Sequence, residues 1–485
     1  MFTKTFSQLK FMYAVSILFI ALNIILIIND HYWLAALPLA LLVILMLFFS
    51  LDKLIYLVVA ITPFSFTYKN DDMGFSIDLP TEPLVVLIMV VFFMKLFYER
   101  EYERPVLKHT VTVILIFQLL WLLITSVTSE LPVVSLKFFL SRLWFVTVFY
   151  FFIIRMFKDY DKLRWFPWIF AMPLALIVIY ITFVHSLSGF ERFAGIAAVR
   201  PFFNDHTNYG ATLALVAPLF GVMAFYPGYK KIYRRIALTL FLLFAMGILF
   251  SYSRASWISL AVAFGVLMIL VMKINFKIVI AMVAIVAGLF IYNQEQIMID
   301  LQRNTQESSG DFSEHVRSIS NITSDASNLE RINRWRSAIR MFEERPVLGW
   351  GPGTYQFVYA PFQLSTDYTI ITTNFGDLGN AHSEYLGPLS ESGILGMILV
   401  IALFISIIVL AVKNYKHNPN REFRWMSLGI LLGFVAYFTH GFLNNFLDTD
   451  KVSVPFWTLM AILVAINVFH NKESELKINK DEPSN

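Results

Sequence analysis

A histidine, a serine and a glutamate stand together near the start of the stretch NAHSEYLGPLSESGILG, residues 380–396, just before an apolar segment. Histidine can accept a proton at neutral pH, because its unperturbed pKa is about 6.5. His382 is therefore a candidate general base, and Glu384 is a candidate to orient its ring. Ser383 is better suited to begin the following helix, since serine is favoured at helix N-termini.

Cations in or beside apolar segments form a second set of candidates: Lys137, Arg142, Arg192, Arg200 and Arg254. A charge near the bilayer centre costs about 3 kcal/mol or more, so an intramembrane cation such as Arg142 is a functional candidate. Guanidinium groups bind phosphate oxygens in a bidentate manner and remain charged. Together these residues predict a cradle for a strongly anionic group. The alternative is that each of them reaches a lipid headgroup or a nearby acid.

Two acidic motifs add further candidates. In the stretch NDHTN, Asp205 and His206 form either a second acid–base pair or part of a polar loop that re-enters the membrane. Asp448–Thr449–Asp450 has an Asp-x-Asp pattern, with which two carboxylates can hold Mg²⁺ or Mn²⁺. An acidic turn without a metal is the more ordinary explanation, and we expect no metal site there.

The composition indicates the setting of these residues. The chain has 485 residues, of which 58% are hydrophobic and only 15% are charged, and a soluble protein needs more polar surface than that. A formal net charge of +4 is too small to indicate a nucleic-acid partner. The lack of cysteine excludes disulfides and thiolate chemistry. The sequence therefore predicts an all-α, polytopic helical membrane protein whose partners include membrane lipids.

Apolar runs of about 17–25 residues can cross a bilayer, and they predict about 12–14 transmembrane helices. The third run is short and is either a span or a re-entrant segment. The first follows Lys4 and Lys10 without a small-residue cleavage site, which is typical of a retained signal-anchor helix. The runs lie at 11–28, 33–50, 53–66, 81–98, 110–127, 133–155, 165–185, 207–226, 232–250, 255–272, 275–292, 385–412, 424–443 and 452–470.

Lysine and arginine cluster in alternate connections between these runs, for example at 155–164 and 230–235, whereas the intervening connections are neutral or acidic. The positive-inside rule then predicts cytoplasmic N and C termini. The expected organisation is an N-terminal transmembrane bundle of about eleven spans at 1–292, a large outward loop at 293–382, C-terminal transmembrane helices at 383–470 and a cytoplasmic tail at 471–485.

The second part of the outward loop contains an amphipathic helix, which we expect to lie along the membrane surface or to cap the bundle. Its polar side carries Arg331, Arg334 and Glu344. Its apolar stripe recurs at helical spacing and consists of Leu329, Ile332, Trp335, Ile339 and Phe342.

The motifs around His382 carry a family resemblance. His382–Ser383, followed after nine residues by Gly393–Ile394–Leu395–Gly396, resembles the histidine-plus-glycine signature of the O-antigen ligase family. That family shares a superfamily with O-antigen polymerases and bacterial protein O-oligosaccharyltransferases. Three further stretches look like the same superfamily, and the similarity covers roughly 189–446. They are RPVLGWGPGTY at 345–355, SYSRASW at 251–257 and RPFFNDHTNYGA at 200–211.

The resemblance implies a glycosyltransferase that needs no metal or cofactor. Members transfer a glycan from an undecaprenyl-diphosphate carrier to an acceptor on the periplasmic face of the bacterial inner membrane. Ligases attach it to lipid A–core, polymerases to another lipid-linked glycan, and the third group to a protein hydroxyl. The essential histidine of the family maps to His382. The arginines that hold the diphosphate map to Arg254 and to either Arg200 or Arg192.

We favour a ligase over a polymerase, because the spacing of the histidine and glycine motif fits the ligase form. A single displacement at an α-linked donor would invert the anomeric configuration. The runner-up from another class is a lipid-linked oligosaccharide flippase, which is also helical and basic. The large outward loop and the one-sided placement of the cations argue against it, since a transporter must serve both faces of the membrane.

Overall fold

The computed structural model describes residues 2–70, 75–275, 326–368 and 379–471, together with residue 372 and eight single positions between 277 and 292. The architecture is all-α, as predicted, with one two-stranded hairpin. Among the described residues, ten helices are long and apolar enough to cross a membrane. The predicted span at 275–292 and the first part of the predicted outward loop fall largely outside the described residues.

The chain forms two compact units, and the first is Met1–Leu57. It contains α1 (Phe2–Ile28), α2 (Leu37–Phe49) and the start of α3 (Leu51–Ile61). The α-helix in the predicted span at 53–66 ends at Ile61, because a tight 3-10 turn that contains Pro63 follows at Thr62–Phe64 and the chain then enters a strand.

The second unit begins at Val58 and contains the remaining elements. Its hairpin pairs β1 (Phe66–Asn70) with β2 (Phe75–Leu79) in antiparallel register. The α-helices are α4 (Thr81–Glu99), α5 (Thr110–Val127), α6 (Pro132–Val146, prolonged by a π-turn to Met156), α7 (Tyr160–Ser186), α8 (Arg192–Ala198), α9 (His206–Phe225), α10 (Lys231–Phe250), α11 (Arg254–Val271), α12 (Ala326–Glu344), α13 (Leu386–His417), α14 (Arg421–His440) and α15 (Asp450–Phe469), with short helical turns at Arg104–Leu107 and Tyr355–Val358.

The centre of this unit is built from helices that are apolar on every side. Nearly every residue of α9 and α15 is buried, as expected for helices without a polar stripe. α9 packs against α10 and α14, and α13 packs against α5 and α14. The polar residues at the ends of these central helices are therefore brought close together, and the candidate site lies there.

The amphipathic helix α12 buries the opposite face from the one that its apolar stripe suggested. Ile339 is exposed and the other stripe residues are half-buried, whereas Glu330, Asn333, Arg334 and Ser337 are buried. An ion pair and a hydrogen bond stabilise this buried polar face. Arg334 Nε lies 2.9 Å from Glu330 Oε1, and Asn333 Nδ2 donates to Gln363 Oε1 at 2.7 Å.

The first part of α13 is bound to the loop that follows α12. Helical backbone geometry is interrupted at Gly393, where φ is +69° and ψ is −171°. Beside this break, Ile394 N donates to Pro346 O at 3.0 Å and Trp350 N donates to Ser390 O at 3.1 Å. The glycine-rich stretch at 345–355 is thus joined to the segment that begins with His382.

Candidate active site

His382 lies in the turn that precedes α13, and three hydrogen bonds hold the backbone of this turn in place. Its N–H donates to Asn380 Oδ1 at 3.0 Å, and its carbonyl accepts from Trp335 Nε1 on α12 at 3.4 Å. Two residues later, Glu384 N donates to Gly441 O, just beyond α14, at 2.8 Å. The φ of His382 is +47°, a left-handed conformation that is uncommon outside glycine. Strained positions of this kind occur often at functional sites.

The ring of His382 is held in its neutral form. It is hydrogen-bonded to the side chain of Asn444, whose Nδ2 has no partner, so a ring N–H donates to Asn444 Oδ1. Burial, reinforced by the positive charges of Arg331 and Arg334, lowers the pKa of His382 to about 3. The carboxylate of Asp205 acts in the opposite direction but is outweighed. The second ring nitrogen therefore carries a lone pair that can accept a proton.

Glu384 contacts the loop after α14 rather than the histidine ring. Its Oε1 accepts hydrogen bonds from Tyr437 Oη at 2.6 Å, Phe446 N at 2.8 Å and Leu447 N at 3.0 Å. These bonds hold the loop that carries Asn444. The sequence suggested that Glu384 contacts the ring, but the side chain hydrogen-bonded to it is that of Asn444. The neighbouring Ser383 Oγ accepts from the backbone N–H groups of Tyr385 and Leu386 at the start of α13.

Asp205 and His206 are brought together at the start of α9. Asp205 Oδ1 lies 2.8 Å from His206 Nδ1 and also accepts from Thr207 N at 3.0 Å, which caps the helix. Burial acts to raise the pKa of Asp205, but the hydrogen bonds and charge of His206 and the bonds from Thr207 outweigh it and lower that pKa. Asp205 is therefore ionised. Its charge acts on the His382 ring, which places the pair near that ring.

Arg192 and Arg254 are carried by neighbouring turns. Tyr252, two residues before Arg254, donates through Oη to Phe190 O at 2.7 Å and lies within the electrostatic range of Arg192. The turn at 251–256 also packs closely on α9, because a Cβ at Gly210 would meet the hydroxyl oxygens of Ser251 and Ser256. The turn that carries Arg254 thus lies against the helix that begins with the Asp205–His206 pair.

Arg200 stands apart from this group. Its side chain is exposed, and the described residues give it no recorded contact with the other predicted site residues. Its backbone N–H donates to Ala197 O at the end of α8. Of the two arginines left open by the sequence, Arg192 is the one within the electrostatic range of Tyr252, which lies two residues before Arg254.

Arg142 lines a small pocket beside the His382 segment. Glu384 and Glu391 also line the pocket, and most of its other lining residues are apolar. The guanidinium lies over the rings of Phe138 and Trp457, at 5.7 and 5.6 Å from their centroids, and interacts electrostatically with Glu384 and Asp448. Lys137, by contrast, is exposed, and Glu82 at the start of α4 lies in its electrostatic range. The fold thus separates these two cations.

The two acids of the Asp-x-Asp motif contact different partners. Asp448 interacts electrostatically with Arg142 and Glu384, whereas Asp450 Oδ2 accepts from Ser65 Oγ at 2.5 Å and Oδ1 lies 3.4 Å from Lys451 Nζ. Within the described ranges there is no group of three or more His, Cys, Asp or Glu residues arranged to hold a metal ion. The motif serves as a junction between elements in this fold.

Several site residues were not identified from the sequence. Arg331 and Arg334 were assigned to the solvated face of an amphipathic helix, yet both act on the His382 ring. His440 and Asn444 lie in HGFLNN, where the end of an apolar helix meets an outward turn. The sequence does contain one signal for these two residues. A histidine and an asparagine four residues apart at the end of an apolar helix are unusual and indicate a functional site.

The middle of the chain is similar to a known protein family. Residues 238–401 match the family model described as O-antigen ligase. The matched range contains three of the four motifs that carried the resemblance, including His382 and Arg254, whereas Arg192, Asp205 and His440 lie outside it. A search of curated proteins found no match. The family comprises glycosyltransferase-like enzymes that act on lipid-linked glycans. Residues 238–401 of this multi-pass membrane protein are therefore similar to the O-antigen ligase family.

Proposed function

We propose that the protein transfers a glycan from undecaprenyl diphosphate to an acceptor hydroxyl, with lipid A–core as the favoured acceptor. The reaction takes place on the periplasmic face of the bacterial inner membrane, and both termini are cytoplasmic. The observation that supports it best is a neutral His382 ring, hydrogen-bonded to Asn444 and within the electrostatic range of two arginines on α12 and of the Asp205 carboxylate. The alternatives within the superfamily are polymerisation and protein O-glycosylation.

In the proposed reaction, the acceptor oxygen attacks the anomeric carbon while the bond from that carbon to the diphosphate oxygen breaks. The electron pair of the broken bond leaves with the diphosphate, and the hydroxyl proton passes to the free ring nitrogen of His382. Arg192 and Arg254 stabilise the negative charge of the leaving diphosphate, with Arg200 as the alternative to Arg192. Guanidinium groups supply the charge that a metal ion provides in other transferases, so no metal is needed. The configuration at the anomeric carbon is inverted.

Donor binding makes His382 a stronger base in this scheme. Arg331 and Arg334 lower its pKa in the free protein. A diphosphate near these arginines would offset their positive charge, and the pKa of the ring would rise toward the value at which proton transfer is efficient. The base is thereby activated when the anionic donor is present.

The pH dependence of the reaction follows from the environment of the His382 ring. A base loses activity only when the pH falls below its pKa, and kcat/KM reports the free enzyme. With a pKa of about 3 for His382, we expect kcat/KM to stay constant from about pH 7.5 down to about pH 5. The diphosphate diester of the donor remains ionised over this range. Transfer between purified lipid-linked donor and acceptor in proteoliposomes measures the profile. A fall in kcat/KM centred at about pH 6.5 would contradict this expectation, because it would mean that the His382 ring has the pKa of a histidine in water.

The proposed function is tested by the glycans of a deletion strain, before and after complementation with the intact chain. Full-length glycan retained on the lipid carrier, together with bare lipid A–core, is the expected result for a ligase. Single-repeat material on lipid A–core would identify a polymerase. Unmodified glycoprotein with normal lipopolysaccharide would identify a protein O-oligosaccharyltransferase. Carrier-linked glycan confined to the cytoplasmic leaflet would contradict all three and indicate a flippase.

A further inference from the structure

His440, the last residue of α14, is a buried histidine with unsatisfied ring atoms. Its side chain is 1% exposed, and neither Nδ1 nor Nε2 has a hydrogen-bond partner within the part of the chain that the structure describes. Asn444, one turn further along, is 2% exposed and its Nδ2 is likewise without a partner. More than nine in ten buried polar groups in proteins are paired, so three orphaned atoms on one short segment require an explanation.

Asn444 lies next to the His382 ring, and His440 is joined to Asn444. Asn444 holds that ring through Oδ1, and its backbone N–H donates to His440 O at 3.2 Å, which ties the two residues together. Arg331 and Asp205 act electrostatically on both histidines. Phe446 packs beside His440, with ring centroids 5.9 Å apart. The orphaned atoms therefore border the place where proton transfer is proposed.

The types of the orphaned atoms define the chemistry of the missing partner. A neutral imidazole presents one N–H donor and one acceptor nitrogen, and the Asn444 amide adds two further donors. Phosphate oxygens only accept hydrogen bonds, so a phosphate would leave the acceptor nitrogen of His440 unpaired. A hydroxyl group both donates and accepts, and neighbouring hydroxyls on a sugar ring match a donor next to an acceptor.

We propose that His440 and Asn444 form a sugar-binding subsite, which holds hydroxyl groups of the glycosyl residue next to the reacting centre. The inference rests on the proposed transferase function and deepens it. The arginines bind the anionic part of the donor, and the His440 subsite binds a polyhydroxylated part of either the donor or the acceptor. The residue makes a binding contact and takes no part in bond formation.

The test uses the full chain in proteoliposomes, with purified lipid-linked glycan as donor and purified lipid A–core as acceptor. In His440→Leu the ring hydrogen bonds are lost, and we expect the KM of one of the two substrates to rise about tenfold with little change in kcat. A rise for the donor assigns the subsite to the donor sugar, and a rise for the acceptor assigns it to the acceptor. His440→Gln keeps a donor and an acceptor and should recover most of the affinity.

Thermal unfolding of the same variants separates binding from a structural role. Because His440→Leu removes unpaired buried polar atoms, the Tm of the ligand-free protein should stay unchanged or rise. A lower Tm, or unchanged KM values for both substrates, would overturn the inference. If the wild-type chain transfers glycan while His440→Leu behaves as wild type, only the subsite is wrong. If the wild-type chain transfers nothing, the proposed function itself fails.

Discussion

His382→Ala is expected to lower the rate of glycan transfer by about 10²–10⁴-fold, the contribution of a positioned general base. The substitution removes the nitrogen that accepts the hydroxyl proton and leaves the diphosphate-binding arginines in place. In a deletion strain complemented with this variant, lipid-linked glycan should accumulate as it does without the protein. The measurement is a glycan immunoblot at matched membrane abundance of the variant and wild-type chains.

Two control variants make the outcome specific. His382→Gln can retain a hydrogen bond to Asn444 but cannot accept a proton, so it should be as inactive as the alanine variant. His417→Ala changes an exposed histidine at the far end of α13, and it should leave transfer unchanged. A normal glycan profile in His382→Ala would remove this residue from the mechanism and reopen the transport alternative.

The transmembrane architecture could be predicted because burial in lipid imposes a simple pattern. Long apolar runs have no other stable environment, and ten of the predicted spans correspond to helices long and apolar enough to cross a membrane. The same pattern failed at α12, where the apolar stripe suggested the wrong buried face. Local periodicity cannot show that Arg334 will pair with Glu330 on the same face and lie over the Tyr359 ring, 4.8 Å from its centroid.

The candidate site could be predicted only in part, for a related reason. His382 was found because its neighbours form a motif, and Arg142 because a charge in an apolar run is costly. Asn444 is brought to the His382 ring, with His440 joined to it, by the packing of α14 against α13. Contacts between residues about sixty positions apart depend on the tertiary structure, and a single sequence records them only as isolated polar residues.

Glycines in membrane helices often let neighbouring helices approach one another, but the backbone of Gly393 has a different requirement. Its φ of +69° and ψ of −171° fall in a region that is essentially restricted to glycine. A Cβ at this position would also meet the backbone carbonyl groups of Val347 and Pro346. The glycine therefore allows α13 to break where the loop after α12 binds it, and that loop positions the His382 segment.

Gly393→Ala is accordingly expected to destabilise the protein by about 2–4 kcal/mol, from backbone strain together with displacement of the 345–354 loop. The hydrogen bond from Ile394 N to Pro346 O should be lost, and glycan transfer should fall with it. Gly387→Ala, earlier on the same helix, is the matched control. Its Cβ would approach only the Cβ of Ala381, at 3.9 Å, and alanine favours a helix, so its stability should be unchanged or higher. Thermal unfolding of both variants in detergent compares them directly, and equal Tm values would show that α13 does not need its break at Gly393.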